Sequence, residues 1–336
     1  MREQNSAIDR YPVALTPRAR AGAWRGTMLA GLGVLAFSMT FPGTVFAMRG
    51  FDPYLVAIGR AVLAALCAVA CLLVARVPLL PPRRHLRAYV LTSATVVFGF
   101  PVFSGLALHG GASTAHSAVV IGLLPAATAA FAVLRAGERP RPMFWVACGL
   151  GAVSITVFTL SQGGGRVSAA DLLLVLALLS AAFGYTEGAR LARETPGWRV
   201  ISYALVVATP VSVPVTILLA VTTELRPSVA ALAGFAWVGV ISMFLGFVPW
   251  YAGLAMGGIA RAGQTQLAQP LLTLLWAWLL LAEDFGPATI LAALVVLVCV
   301  AATQRARITA TEAPPIGAPA PASVPVVTRT SPDTAR

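Results

Sequence analysis

Few side chains in this sequence could do chemistry, and most of them lie in apolar surroundings. Gln266, Gln269, Thr273 and Trp276 fall at i, i+3, i+7 and i+10, which is one face of a helix. Amides in an apolar stretch are costly unless they face protein or water. This face therefore either bonds a polar ligand or clasps a neighbouring helix. Gln264 lies off it. Arg60 stands seven residues after Pro53, about 10 Å along a helix at 1.5 Å per residue. It can snorkel outward, bind a carboxylate or phosphate, or anchor helix ends. Glu187 follows an uncharged run and precedes Arg190 by three positions. Facing a cavity, it would be a desolvated carboxyl able to relay protons; at a rim, it would be an i, i+3 ion pair with Arg190. Tyr185, Tyr203, Trp250 and Tyr251 suit a cavity wall or an interface. His109 and His116 are expected to be solvated loop residues. The cysteines Cys67, Cys71, Cys148 and Cys299 all fall in apolar runs without metal-ligand spacing and read as packing residues, so no metal or other cofactor is expected.

The elements that must position these groups are written twice. LPAATAAFAVLRAGE (124–138) and QPLLTLLWAWLLLAE (269–283) align Pro125 with Pro270, Thr128 with Thr273, Phe131 with Trp276 and Glu138 with Glu283. Each copy is an apolar helix with a proline near its start and a glutamate at its end. Pro125 and Pro270 each remove an N–H and free a carbonyl, which kinks the helix. The kinks either let these helices rock around a cavity or are static bends filled by packing. The matching face of the first copy is nearly apolar, Thr128 excepted, so a cavity here should take its polarity from the second half. Glu138 and Glu283, opposed by the macrodipole at helix C-termini, read as structural latches to loop groups or to a neighbouring helix N-terminus.

Composition sets the class. The chain has 336 residues, 58% hydrophobic and 11% charged. The stretches 26–48, 142–165, 200–223, 262–282 and 285–304 carry no charge, and 88–134 and 227–260 are each long enough for two crossings. Helices are expected over 24–47, 54–75, 88–108, 113–135, 142–161, 169–191, 199–220, 228–251, 257–281 and 285–304. A break is expected near Gly246 or at Gly257-Gly258. This is an all-α membrane protein of ten transmembrane helices. The net charge of +12 comes entirely from arginine. With the N-terminus inside, 20 arginines fall in cytoplasmic segments, while Arg49, Arg166 and Arg226 fall outside. That asymmetry predicts both termini in the cytoplasm and explains the charge better than nucleic-acid binding does. Residues 1–23 and 305–336 are expected to be cytoplasmic tails, both disordered: 1–22 is polar and arginine-bearing with no helical period, and APPIGAPAPASVPVV cannot build a core.

The repeat extends further. Pro53 and Arg60 align with Pro196 and Tyr203, and GLALHGG (105–111) aligns with GLAMGG (253–258). The halves are 24–161 and 162–304, each of five helices. An odd count inverts the second copy in the membrane, an arrangement typical of secondary transporters with a midplane binding site.

On PYLVAIGRA (53–61), SAVVIGLLPAATAAFAVLRAGERP (117–140) and GQTQLAQPLLTLLWAWLLLAED (263–284), the chain resembles the EamA family of the drug/metabolite transporter superfamily over about 24–304. The resemblance implies an inner-membrane carrier of a small metabolite, such as an amino acid or related compound, often an exporter, working by alternating access. Tyr203 where the first half has Arg60, and the acid Glu187, depart from the expected pattern. The expected partners are a small-molecule substrate and the lipid bilayer, with a homodimer allowed and nucleic acid not expected. The substrate-binding candidates are Gln266, Gln269, Thr273, Trp276, Arg60, Tyr203 and Thr128; Pro125 and Pro270 are the kinks, and Glu187 is the candidate proton relay. A membrane-embedded lipid or isoprenoid enzyme would need a Ser/His/Asp set, HExxH or DDxxD, and the sequence has none. A non-transporting membrane subunit sits poorly with the repeat.

Overall fold

A computed structural model describes residues 17–136, 139–140, 142–162, 166–257, 265–305 and 308–309. Among these the chain is helical, apart from a short antiparallel pairing of Arg139–Pro140 with Ile308–Thr309. The helices are α1 (Pro17–Ser38), α2 (Thr40–Met48), α3 (Pro53–Val74), α4 (Leu86–Thr92), α5 (Phe100–His109), α6 (Thr114–Ile121) and α7 (Leu124–Ala136). They continue as α8 (Pro142–Gln162), α9 (Ala169–Leu191), α10 (Gly197–Thr222), α11 (Val229–Ala236), α12 (Phe247–Gly257), α13 (Ala268–Leu281) and α14 (Pro287–Arg305). Seven stretches are long and apolar enough to cross a membrane; three shorter apolar helices lie in α8, α13 and α14.

The interruptions have a chemical cause. Pro42 lacks the N–H that would reach the Ser38 carbonyl, and the chain turns at Met39 between α1 and α2. Pro125 and Pro270 have the same effect on the carbonyls of Ile121 and Gln266. The expected helix 113–135 is therefore two helices, and α13 starts only at Ala268, after a turn at Gln266-Leu267. Two π-helical stretches, Ser93–Gly99 and Trp237–Leu245, sit at corresponding places in the two halves. Each runs into a proline, Pro101 or Pro249, whose missing N–H upsets the i→i−4 ladder.

Other boundaries moved as well. α1 starts at Pro17, inside the expected tail, because Ala and Arg favour helix and proline suits its first position. The span expected over 228–251 continues to Gly257, and Gly246 is only a single turn residue within it. The connection beyond it, with Gln264, and also Glu138, lie outside the described residues, as does most of 305–336.

The packing pairs one half with the other. α1 lies along α12, α3 along α10, α8 along α14 and α6 against α13; α9 packs on α5 and α7. The first of these contacts needs glycine. A Cβ on Gly253 would meet the Ala30 nitrogen at 2.6 Å, and one on Gly33 would meet the Gly246 carbonyl oxygen at 2.9 Å. Behind this contact, Phe37, Tyr185, Phe247 and Trp250 form one aromatic cluster with ring centroids 4.7–6.2 Å apart.

Candidate functional site

The breaks and π stretches surround a narrow central cavity, with about 390 Å³ of space between atoms when its solvent-open part is included. Its wall is aromatic and apolar, with Phe37, Phe100, Phe247 and Tyr185 among its residues. Its polar groups are few: Thr40, Arg60, Ser242, Gln269 and the Tyr185 hydroxyl. Val96 from one π stretch and Ser242 and Met243 from the other reach it, so both irregular helices turn their distorted segments towards this space. A second, smaller pocket adjoins it, sharing Leu124 and Gln269, and is lined by Pro125, Gln266, Pro270 and Thr273.

Arg60 is 3% exposed, and its Nε has no hydrogen-bond partner. No ion pair reaches it among the described residues. Gln269 Oε1 and Gln266 Nε2 are likewise buried and unpartnered, while Thr40 and Ser242 share a hydrogen bond of 2.6 Å across the cavity wall. Polar groups come from both halves, and the single charge comes from the first. The expectation that polarity would sit with the second half is corrected on this point, because Arg60 points inward rather than snorkelling.

The helical face 266–276 divides between two roles. Gln266 and Gln269 turn to the pockets. Thr273 Oγ1 donates to the Ser38 carbonyl at 2.8 Å, the carbonyl that Pro42 leaves free, and Trp276 Nε1 donates to the Ser38 hydroxyl at 2.9 Å. These two clasp α13 to the break in α1–α2. Thr273 still borders the smaller pocket; Trp276 borders neither. Thr128, its counterpart, bonds its own helix at Leu124 and accepts the Thr186 hydroxyl on its carbonyl, so it serves the α7–α9 contact. Tyr203 packs edge-on against Tyr89, away from the cavity. Of the four aromatics singled out, Tyr185 lines the cavity, and Trp250 and Tyr251 are buried behind it.

Polar latches hold α6–α7 at its two ends. At the α7 end, Glu187 is 1% exposed, and Oε1 accepts from Arg135 Nε at 2.7 Å while Oε2 accepts from Arg190 Nη1 at 2.9 Å. Arg135 thus ties α7 to α9, a partner that the i, i+3 spacing of Glu187 and Arg190 did not suggest. Glu187 is placed at this rim and not among the cavity residues. At the α6 end, Ala282 adopts a left-handed conformation (φ 51°) that closes α13, and the Glu283 N–H bonds back to Ala277. This turn sends the Glu283 carboxylate to the first N–H groups of α6, at 3.1 Å from Thr114 and 3.0 Å from Ala115. Next to it, His116 Nε2 lies 2.7 Å from Asp171 Oδ1, and its ring stacks on Phe158 at 5.2 Å. Asp171 also completes a capping box with Ser168. The Ser168-x-x-Asp171 motif was a readable helix-start signal; nothing in the sequence marked His116 as its partner.

The sequence profile of the EamA-like transporter family matches residues 24–160 and again 168–303. The "Uncharacterized transporter YdeK" of Bacillus subtilis (strain 168) is 42% identical over 274 residues, 82% of this chain and 95% of the relative. A solved crystal structure superposes with a TM-score of 0.62 at 20% identity, covering 83% of this chain and 98% of that one, a likeness of fold.

Proposed function

From the premise that the chain belongs to the EamA-like transporter family, and so is a multi-pass membrane transporter, we propose that it moves a small metabolite, such as an amino acid or related compound, out of the cell by alternating access. In this reading ten helices cross the inner membrane as two inverted five-helix repeats, with both termini in the cytoplasm. The exchange of contacts supports a two-fold relation between the halves: α1 of the first half packs on α12 of the second, and α9 of the second packs on α5 of the first.

The observation that carries the reading is the position of the cavity. It lies where broken and π-helical segments of both halves meet, and different latches close the two ends of α6–α7 beside it. Opening one latch at a time would expose the cavity to one side at a time. Arg60 and Gln269 are the groups that hold the substrate, and Pro125 and Pro270 are the flexible points. The absence of a buried acid among the described residues lining the cavity favours a driving force other than a carboxylate relay at its centre.

The test is counterflow in vesicles containing the purified full-length chain. Vesicles preloaded with an unlabelled amino-acid mixture should accumulate trace radiolabelled amino acid transiently, and protein-free vesicles should not. No counterflow for any amino acid would refute the proposed substrate class.

A further inference from the structure

Arg60 carries a charge that the described residues leave unanswered. Among the described residues the acids are engaged elsewhere: Glu187 with Arg135 and Arg190, Asp171 with Ser168 and His116, Glu283 with the N-terminus of α6, and Asp52 with the start of α3. Glu194 and Glu224 pair with surface cations, and Asp284 is exposed. A guanidinium taken out of water without a partner is expensive, and this one lines the cavity. Resting on the carrier reading above, we propose that the substrate is an organic monocarboxylate, its carboxylate held by Arg60 and its apolar part against Phe37, Phe100 and Phe247.

Three features narrow the ligand to that class. One cation balances one negative charge, so a phosphate monoester dianion would enter with charge left over. A planar guanidinium with free donors matches the two oxygens of a carboxylate. The rest of the wall is mainly aromatic and apolar, with Thr40, Ser242 and Gln269 available for one further polar group of the ligand.

The experiment uses the purified full-length chain in nanodiscs and reads thermal unfolding with matched probes: L-phenylalanine and L-phenylalaninamide, 3-phenylpropanoate and 3-phenylpropanamide, L-leucine and L-leucinamide, and phenyl phosphate. At least one carboxylate should raise the wild-type Tm while its amide does not, and Arg60→Met should lose that rise. Arg60→Met should unfold, without probe, at a temperature no lower than wild type, because it removes an unpaired buried cation; a structural anchor would show a large drop. Should Arg60→Met fail to fold, Arg60→Lys keeps the charge without the fork and should bind the carboxylate at least tenfold more weakly. The proposal is overturned if amides stabilise as well as acids, if phenyl phosphate alone stabilises, if no carboxylate does, or if either variant binds like wild type. Counterflow separates the two readings: exchange of the amides but not the acids keeps the carrier and refutes Arg60, whereas acid binding without any movement keeps Arg60 and refutes the carrier.

Discussion

Replacing Glu187 by glutamine removes one negative charge and almost no volume from the α7–α9 rim. The carboxylate is buried, but the guanidinium groups it meets are exposed at 43% for Arg135 and 54% for Arg190. A charge-assisted hydrogen bond contributes about 1.5–3 kcal/mol, and solvent exposure of one partner pulls each contact towards the 0–1 kcal/mol of surface pairs. For the two arginines together the loss is on the order of 2 kcal/mol. At 1.4 kcal/mol per decade, that shifts an equilibrium between closed and open rims by roughly 30-fold. The assay is modification of a cavity cysteine, Ser242→Cys in a background without the native cysteines, by a polar maleimide. In the Glu187→Gln background its rate should rise by about that factor, while the protein still inserts and purifies. A rate within twofold of the parent would refute the latch. The same vesicles test the other role considered for Glu187: under an imposed pH gradient a proton relay would lose accumulation in Glu187→Gln and keep exchange. Accumulation unchanged in the mutant would leave this residue to the rim, because taking up a proton in the transport cycle would forfeit both ion pairs.

Topology is checked by single-cysteine labelling: a reagent added from the periplasm should reach position 224 and miss position 84, and the reverse would remove the inverted repeat. Gln269→Leu should fold and abolish counterflow, and normal transport by that variant would show that the amide is not a substrate ligand. Thr273→Val should leave the buried Ser38 carbonyl unpaired and cost about 1–3 kcal/mol, read as a lower Tm; an unchanged Tm would mean that water replaces the hydroxyl. Glu283→Gln should cost roughly 1 kcal/mol by withdrawing a carboxylate from a helix N-terminus, and thermal unfolding at low and high salt should show the difference shrinking with salt.

How far the sequence could be read depended on whether a feature was local. The positions of the crossing helices followed from charge-free length, because a membrane demands long apolar runs and these are written along the chain. The prolines were equally legible: Pro125 and Pro270 each remove one identifiable N–H, and both chain breaks appear at those places. The π stretches were not, because SATVVFG and WVGVISMFL look like ordinary apolar helix, and only the later prolines Pro101 and Pro249 hinted at a disturbed ladder. The latches show the same boundary. Glu187 with Arg190 was legible as an i, i+3 pair, while Arg135, 52 positions away, required the fold.

The polar face of α13 shows why spacing alone left two readings open. Periodicity places Gln266, Gln269, Thr273 and Trp276 on one side of a helix, but a helix side about ten residues long can face more than one neighbour. Below the Pro270 kink this side meets the carbonyl that Pro42 freed in α1, and Thr273 and Trp276 are spent on it. At and above the kink it meets the two pockets, where Gln266 Nε2 and Gln269 Oε1 stay unpartnered. A proline in one half of the chain thus bears on which polar residues of the other half are bonded to it and which are not. Arg60 is the opposite case: among the described residues nothing claims it. A group that the described residues leave unpaired is informative in a way that no local pattern is, since it is the one a ligand from outside the chain is proposed to answer.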